Sequence, residues 1–408
     1  MHKFILKSLK SFFYLFALPI FFIIRRISKF KKKNYIEIDF SRFGHCLYQI
    51  EGALFLSKKK NVDLSNYLFF SSLNSCNSQL KEMAKRVIPI NKLNWFFVYL
   101  KKSSIFWKKQ KNLFLEPDWG LDILLQTEKN INYSKSSFKF SDQEILKGKE
   151  LLKKFGLNEN DKWVCIHNRD SKFLSHGKID FSYHNYRNFS VQSMRGAAEF
   201  FAKNNYYVFR MGKNQSEKLK SYDYKNRIID YAFSNKKSDF LDIFLLSNCD
   251  FYFGGDSGVK SIVLTFLRPC YGINWSPMFL YSEPGFLMNF NNNLHPWLFI
   301  FKRIKCLNTN RKLTLQEILK NKILYTYNSE IYKKNNLVFI ENSISEINNL
   351  AEEIINEKNE KRIINDDDEK IRDEFWKIYF KITGRDQIRN HLPKISPSFL
   401  RNNIDLLN

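Results

Sequence analysis

The amino-acid sequence predicts an α/β protein built from two successive doubly wound, Rossmann-like domains. Its 408 residues exceed what one ordinary hydrophobic core organises. Short apolar runs alternate with amphipathic helical stretches in two separate series, which is the pattern of parallel α/β layers. Hydrophobic residues form 44% of the chain, enough to fill two cores. We expect domains at 34–150 and 151–340 facing a cleft, a separate N-terminal segment at 1–33, and helices at 341–408 that pack back on the domains.

The first series begins directly after the N-terminal segment. The apolar runs at 34–40 and 66–72 predict strands, and each is followed by a stretch with helical spacing of apolar residues, at 46–56 and 78–87. The short run at 87–90 predicts a third strand. This order is typical of a parallel β-α-β-α-β unit.

The second series is more regular. We predict a helix at 142–154 that begins at a Ser141 or Asp142 cap. The strands and helices that follow are expected at 163–167, 190–205, 206–212, 238–249, 250–255, 258–267 and 269–275. The tail between 344 and 383 predicts two amphipathic helices, and the acidic run at 365–369 suits a helix N-terminus, where negative charge is favourable.

The chain is strongly basic, with 66 Lys and Arg against 41 Asp and Glu and a net charge of +25. Such an excess indicates nucleic acid, an anionic membrane surface or an acidic substrate as a partner. The abundance of Lys, Asn, Ile and Phe together also fits simple drift in an AT-rich genome. No zinc-finger or RNA-recognition signature accompanies the charge. The six cysteines contain no CxxC pair, which favours reduced thiols in a cytosolic setting.

The N-terminal segment predicts association with a membrane surface. Thirteen apolar residues at 12–24 lie between lysines on one side and the basic stretch 25–33 on the other. A spanning helix needs about 20 apolar residues, so we favour an interfacial anchor on anionic lipid over a tilted span or a buried helix. Arg25 and Arg26 stand where a signal peptide would have its small-residue cleavage site. The positive charge after the segment places the main body at the cytoplasmic face.

Three predicted strand-to-helix loops carry polar residues, and ligands of open α/β sheets bind at such loops. The first contains Gly44 and His45. A histidine there suits proton transfer at neutral pH, and the alternative is an ordinary helix cap. The second contains Arg169 and Asp170. The arginine is suited to bidentate binding of a diphosphate, with Asp170 orienting it or acting on a hydroxyl, and the alternative is a structural Arg–Asp pair.

The third loop, at 254–258, places Asp256 or Ser257 at a helix start and leaves amides for an anion or a ribose. Part of it resembles a phosphate-binding P-loop, but Val259 stands where that motif needs glycine before its lysine, which disfavours a nucleotide triphosphatase. Scattered histidines and one carboxylate near Arg169 match no zinc spacing, so we expect no metal; these are His167, His176, Asp180 and His184.

Six short motifs occur in order along most of the chain: RFGH (42–45), VCIHNRDS (164–171), HNYRNFSVQSM (184–194), VFRMGK (208–213), GGDSG (254–258) and SPSFLRNN (396–403). In this set the sequence resembles bacterial glycosyltransferases of the GT-B fold, which has two Rossmann-like domains, from surface-polysaccharide loci. More distantly, the loop with Arg169 resembles the donor loop of fucosyltransferase-type GT-B enzymes. The segments 91–112 and 170–180 depart from that pattern, which leaves acceptor choice open.

The resemblance implies transfer of a hexosyl or deoxyhexosyl group from a nucleotide sugar, with GDP-sugars slightly favoured, to a saccharide or lipid-linked acceptor. It implies an inverting, metal-independent reaction without a cofactor and without a nucleic-acid partner. The implied catalytic residues are His45 as base, Arg169 and Asp170. The implied donor-binding residues are His167, Asn168, Tyr186, Arg187, Asn188, Gly255, Asp256, Ser257 and Gly258, while Arg210 and Gly212 support a strand exit.

Two other functions remain open at the level of sequence. A pyruvyltransferase or other group transferase could use the same double-domain scaffold with a different donor, such as phosphoenolpyruvate. A non-catalytic protein that binds membranes or nucleic acid would also use the basic charge, and its binding would weaken steeply with salt. The second alternative leaves the three polar loops without a role.

Overall fold

The structure is a computed structural model, and it describes most of the chain with several gaps. The described residues are 19, 22–23, 26, 34–60, 67–71, 75–91, 96, 98, 114–115, 136–172, 182–220, 223–276, 298–359, 366–384 and 394–408. Of the predicted anchor at 1–33, all but four residues therefore lie outside the described residues. Within the described ranges, no helix is both long and apolar enough to cross a membrane.

The chain divides into two compact units. The first comprises Met1–Leu124 with Ser137–Lys139, and the second comprises Leu125–Ser136 with Phe140–Asn408. The helix that we expected at the end of the first domain, at 142–154, belongs to the second unit. The C-terminal stretch 341–408, expected as helices that pack back on the domains, belongs to the second unit as well.

The first unit contains a small parallel sheet in the order β2-β1-β3. Ile90 forms a single parallel bridge with Phe69, so the strand expected at 87–90 is reduced to one residue. The third strand comes instead from a region for which the sequence made no clear prediction. The described elements of the first unit are β1 Asn34–Ile38, α1 Phe43–Lys60, β2 Tyr67–Ser71, α2 Ser78–Val87 and β3 Phe114–Leu115.

The second unit is built on a seven-stranded sheet in which every pairing is parallel. Its main elements are α3 Asp142–Lys153, β4 Trp163–His167, α4 Arg195–Lys203, β5 Tyr207–Arg210, β6 Ile228–Ile229, α5 Asp239–Asn248, β7 Phe251–Gly254, α6 Gly258–Thr265, β8 Cys270–Trp275 and β9 Leu298–Phe301. Two short 3₁₀ helices, Ser182–Arg187 and Val191–Met194, precede α4. The predicted alternation of strands and helices is therefore confirmed in this unit.

The strand order β13-β9-β8-β7-β4-β5-β6, in which β13 is the short C-terminal strand Lys394–Ile395, explains where a ligand would bind. From β4 the chain first adds β5 and β6 on one side, and then crosses over to place β7 on the other side. The order of strands thus reverses between β4 and β7. In open parallel sheets, ligands bind beyond the carboxyl ends of the strands at this reversal point.

The remaining elements extend the second unit beyond the doubly wound pattern. An antiparallel sheet of order β11-β10-β12 follows β9, and a short C-terminal strand, β13, pairs with β9. The sequence predicted neither. The elements are β10 Arg303–Cys306, β11 Arg311–Lys312, α7 Leu315–Lys320, α8 Ser329–Lys334, β12 Leu337–Ile340, α9 Ile344–Lys358, α10 Asp366–Thr383, β13 Lys394–Ile395 and α11 Pro397–Asn402.

The helix starts agree with the sequence predictions where a polar residue lies at or directly before the first helical turn. Ser141 forms a capping box with Glu144 at the start of α3, as predicted. The acidic run lies in the first turn of α10, where it complements the helix dipole. The centre of the sheet is fully apolar: Val164, Cys165 and Ile166 on β4 are completely buried, as both-sided coverage requires.

Candidate anion site at the carboxyl edge of the parallel sheet

Two polar loops meet at the reversal point of the sheet. His167 ends β4 and is paired with Gly254, which ends β7, and the amide of Gly255 donates to the carbonyl of His167 at 2.9 Å. A Cβ atom at Gly254 would lie 2.2 Å from that carbonyl oxygen. The pair of glycines therefore lets the two strand ends approach each other closely, and the amide of Gly255, which was expected to face the donor, binds the carbonyl of His167.

Replacing Gly254 with alanine is expected to destabilise the second unit. The new methyl group would collide with the backbone of β4, which cannot rotate away, and overpacking of this kind costs ~1–3 kcal/mol. At Gly255 the new Cβ would meet the ring of Phe189 at 2.5 Å, and that ring can shift. Thermal unfolding should therefore give a lower Tm for Gly254→Ala than for Gly255→Ala, and the reverse order would contradict this packing.

Arg169 lies just beyond β4, and the residue is 7% exposed. One terminal nitrogen, Nη1, donates to Oδ1 of Asn188, while Nη2 is buried and has no hydrogen-bond partner among the residues that the structure describes. Burial, together with repulsion from Arg187, lowers the pKa of Arg169 to about 10. A buried donor without an acceptor costs free energy, so this arginine is arranged for a ligand that supplies one.

Asp256 is the carboxylate at the centre of this edge. Lys260 binds its Oδ1 at 2.7 Å, and Nη2 of Arg187 lies 3.4 Å from its Oδ2 and 2.6 Å from its carbonyl oxygen. Burial alone would raise the pKa of Asp256, but Arg187 and Lys260 hold it well below its usual range. The ammonium of Lys260, which the P-loop alternative would direct to a phosphate, binds Asp256 and lies 4.6 Å from the centre of the Trp275 ring.

Lys302 adds a further buried cation that the sequence did not reveal. It follows β9, is 2% exposed, and its Nζ donates to the carbonyl of Asn188 at 2.6 Å. Burial, opposed by Glu341 and reinforced by Arg169, lowers the pKa of Lys302 to about 8. The cations at this edge are Arg169, Arg187, Lys260 and Lys302, and the carboxylates that oppose them are Asp256, Asp170 and Glu341. The edge carries an excess of positive charge.

Uncharged, hydrogen-bonded side chains hold the loop after β4 in place. The ring of His167 donates from Nδ1 to the carbonyl of Met211 at 3.1 Å, and burial lowers the pKa of His167 to about 4, so the ring is neutral at pH 7. Asn168 donates to the carbonyl of Phe189 at 3.0 Å and accepts from Arg210 at 3.1 Å. His167 and Asn168 thus hold the loop in place, and the fully buried Arg210 supports the strand exit as expected.

Several of the expected ligand residues have structural partners instead. Asp170 accepts from the amide of Ser216 at 2.7 Å and from its hydroxyl, and the hydrogen bond of Arg169 goes to Asn188. Asp170 acts on Arg169 through its charge. Tyr186 is buried against Tyr332 and Phe339, at ring distances of 5.3 and 5.4 Å, which makes it part of the core.

Ser257 caps α6 by accepting from the amide of Val259 at 3.3 Å, so Ser257 is the cap and Asp256 is not. Gly258 is the first residue of that helix. His184 lies in the 3₁₀ helix before Arg187, whereas His176 and Asp180 lie outside the described residues. Across the part of the chain that the structure describes, no group of three or more His, Cys, Asp or Glu residues could hold a metal ion.

His45 lies in the first unit, within the first turn of α1, and forms a dyad that the sequence did not predict. Its Nδ1 contacts Oδ2 of Asp39 at 2.9 Å. Burial alone would raise the pKa of Asp39, but hydrogen bonds from His45 and Ser41 lower it to about 2. Asp39 is therefore ionised near neutral pH and fixes the orientation of the imidazole, as carboxylates do for catalytic histidines.

Comparison with known proteins yields weak similarities only. No family model and no curated protein sequence matches the chain. A solved glycosyl transferase of family 9 from Veillonella parvula DSM 2008 is 11% identical, with 59% of this chain and 80% of that chain covered and a TM-score of 0.35. The E. coli ADP-heptose LPS heptosyltransferase II is 10% identical, with coverages of 66% and 90% and a TM-score of 0.34. Similarity at this level does not identify a function for this chain.

Proposed function

We propose that this protein is a glycosyltransferase of GT-B type that moves a sugar from a nucleotide-sugar donor to a saccharide or lipid-linked acceptor. The observation that carries the proposal is the buried Nη2 of Arg169, which has no hydrogen-bond partner in the described part of the chain and lies within a cluster of excess positive charge. The cluster lies at the reversal point of a parallel sheet, where such folds bind nucleotides. The diphosphate of a sugar nucleotide is an anion of suitable charge for it.

The same cluster supplies the chemistry of donor cleavage. When the bond between the anomeric carbon and the diphosphate oxygen breaks, its electron pair stays on the diphosphate and negative charge increases there. Arg169 and Lys302 would stabilise that charge through donors that are already in place and desolvated, which is the type of interaction that lowers barriers most. The reaction proposed in this way needs no metal ion to neutralise the leaving group.

We assign deprotonation of the acceptor hydroxyl to His45. The dyad with Asp39 supports this assignment, because the carboxylate stabilises the imidazolium that forms when the ring takes a proton. Attack by the resulting alkoxide on the face opposite the departing diphosphate inverts the anomeric carbon. Inversion is thus the stereochemical outcome of the proposal.

The donor and cellular setting follow from the sequence alone and extend the proposal. GDP-sugars with a hexosyl or deoxyhexosyl group are the first donors to test. The apolar and lysine-rich segment before residue 34 supports attachment to the anionic cytoplasmic face of the bacterial inner membrane, where lipid-linked acceptors for surface polysaccharides would be met. Nucleic acid is not part of the proposal.

A thermal-shift screen of the full chain against GDP-, UDP-, ADP-, CMP- and dTDP-sugars tests the class and the donor together. A ligand at 100 times its Kd stabilises the folded state by about 2.7 kcal/mol, so one nucleotide family should raise the Tm clearly. Stabilisation by phosphoenolpyruvate alone would favour a pyruvyltransferase. Binding only to DNA, RNA or anionic vesicles, with a steep loss in salt, would favour a non-catalytic binder.

A further inference from the structure

The side chains of Lys302 and Arg169 both bind Asn188, although the two residues follow strands that are not neighbours. Lys302 follows β9 and Arg169 follows β4, and the strands β8 and β7 lie between them. Three steps across a sheet span about 14 Å, since neighbouring strands are about 4.8 Å apart. Nevertheless, the ammonium of Lys302 binds the main-chain oxygen of Asn188, and the guanidinium of Arg169 binds its side-chain oxygen. The two charged ends therefore converge beyond the ends of β7 and β8.

Both cations keep donors that Asn188 does not use. An ammonium group has three N–H donors, and the carbonyl of Asn188 accepts one of those of Lys302. Nη2 of Arg169 is buried and has no hydrogen-bond partner within the described ranges. The backbone amide of Lys302 donates to the carbonyl of Trp275 at 2.8 Å, which fixes the start of its side chain. The side chain is thus anchored at both ends while its remaining donors are left for a ligand.

We propose that Lys302 and Arg169 form a two-cation clamp that recognises two adjacent phosphoryl groups. Asn188 binds both cations and sets the distance between them. This inference rests on the proposed function and names the residue that would distinguish a diphosphate from a single phosphate. One phosphoryl group pairs with the Nη2 edge of Arg169, and its neighbour pairs with the ammonium of Lys302. A single phosphate needs one of these partners only.

The charge on Lys302 makes the clamp sensitive to pH. Its pKa is lowered to about 8, first by burial and then by the charge of Arg169, while Glu341 after β12 acts in the opposite direction. The other charged groups that act at this edge are Arg187, Lys260, Asp170 and Asp256. An anion binds the protonated form, so affinity should be full below pH 8 and fall as the pH rises above it. Pyrophosphate only gains negative charge over this range, which by itself would strengthen binding.

Isothermal titration calorimetry with inorganic pyrophosphate and inorganic phosphate tests the clamp without knowledge of the nucleotide. We expect Lys302→Met to lose about tenfold or more in affinity for pyrophosphate and less than about threefold for phosphate. Lys302→Arg should bind pyrophosphate at pH 9 nearly as well as at pH 7, because a guanidinium remains charged. The parent protein should lose affinity between these pH values. Lys320→Met, which removes an exposed charge on α7, serves as the control.

Several results would overturn the clamp. These are unchanged pyrophosphate affinity in a folded Lys302→Met variant, an equal loss for phosphate and pyrophosphate, or an unaltered pH dependence in Lys302→Arg. If Lys302→Met does not fold, the pH comparison with Lys302→Arg decides alone. The proposed function fails separately if pyrophosphate binds in the expected pattern while no nucleotide sugar stabilises the protein. A nucleotide sugar that binds equally well with and without Lys302 would overturn the clamp and leave the proposed function in place.

Discussion

Replacing Arg169 with methionine is expected to weaken nucleotide-sugar binding by about 30-fold or more and to remove transfer activity. Loss of one partner from a buried, charged hydrogen bond costs ~2–5 kcal/mol. The apolar part of the methionine side chain fills much of the same volume, so the core beneath the loop stays packed. Calorimetry with the nucleotide sugar that stabilises the parent protein gives the affinity, and product formation gives the activity.

The stability of the ligand-free Arg169→Met variant separates a binding role from a structural one. Burial and repulsion from Arg187 already disfavour the charge on Arg169. Removing it should therefore leave the Tm within about 4 °C of the parent value, the change that ~1 kcal/mol causes in a domain of this size, or raise it. A large fall in Tm with intact donor affinity would make Arg169 a structural residue. Arg311→Met, which removes an exposed arginine paired with Glu317, controls for net charge.

The cluster of cations is better explained by ligand binding than by a contribution to folding stability. Burying a cation is costly unless a partner or a ligand compensates, and this edge buries more cations than carboxylates. Asp256 is already bound by Lys260 and Arg187, so its single negative charge does not balance all the cations of this edge. A ligand with two adjacent negative groups would lower the free energy of both. Perturbed charges of this kind are typical of binding and catalytic sites.

The parallel sheet of the second unit could be predicted because its signals are local. Runs such as the one at 163–167 are apolar without alternation, which is typical of strands covered on both faces, and Ser141 lies directly before the helix that it caps. The strand β13 could not be predicted in this way. It has two residues and pairs with β9, almost a hundred positions earlier, so only tertiary contacts define it.

The location of the site was predicted from the sequence, but the hydrogen-bond partners within the site were not. The polar residues after β4 and β7 indicated the correct edge of the sheet, because parallel strands share that edge. Which side chains bind one another depends on loops that sequence spacing does not describe. Arg169 therefore binds Asn188 rather than its neighbour Asp170. A lysine directly after the apolar run at 298–301 was the available signal for Lys302.

Replacing His45 with glutamine is expected to lower kcat by a factor of about 10²–10⁴ while donor affinity stays unchanged, since that is the usual contribution of a general base. His45 belongs to the first unit and the cation cluster to the second, so the two variants should separate turnover from donor binding. Steady-state rates at saturating donor, with donor affinity from calorimetry, measure both quantities.

The carboxylate of Asp39 provides the matched test of this role. Its pKa is lowered to about 2, so it is ionised throughout the working range and accepts from Nδ1 of His45. Asp39→Asn should lower kcat as well, because the amide no longer stabilises the imidazolium. It should also leave donor affinity unchanged. Near-parental turnover in His45→Gln would exclude His45 as the base, and loss of donor affinity in either variant would show that the dyad maintains structure instead.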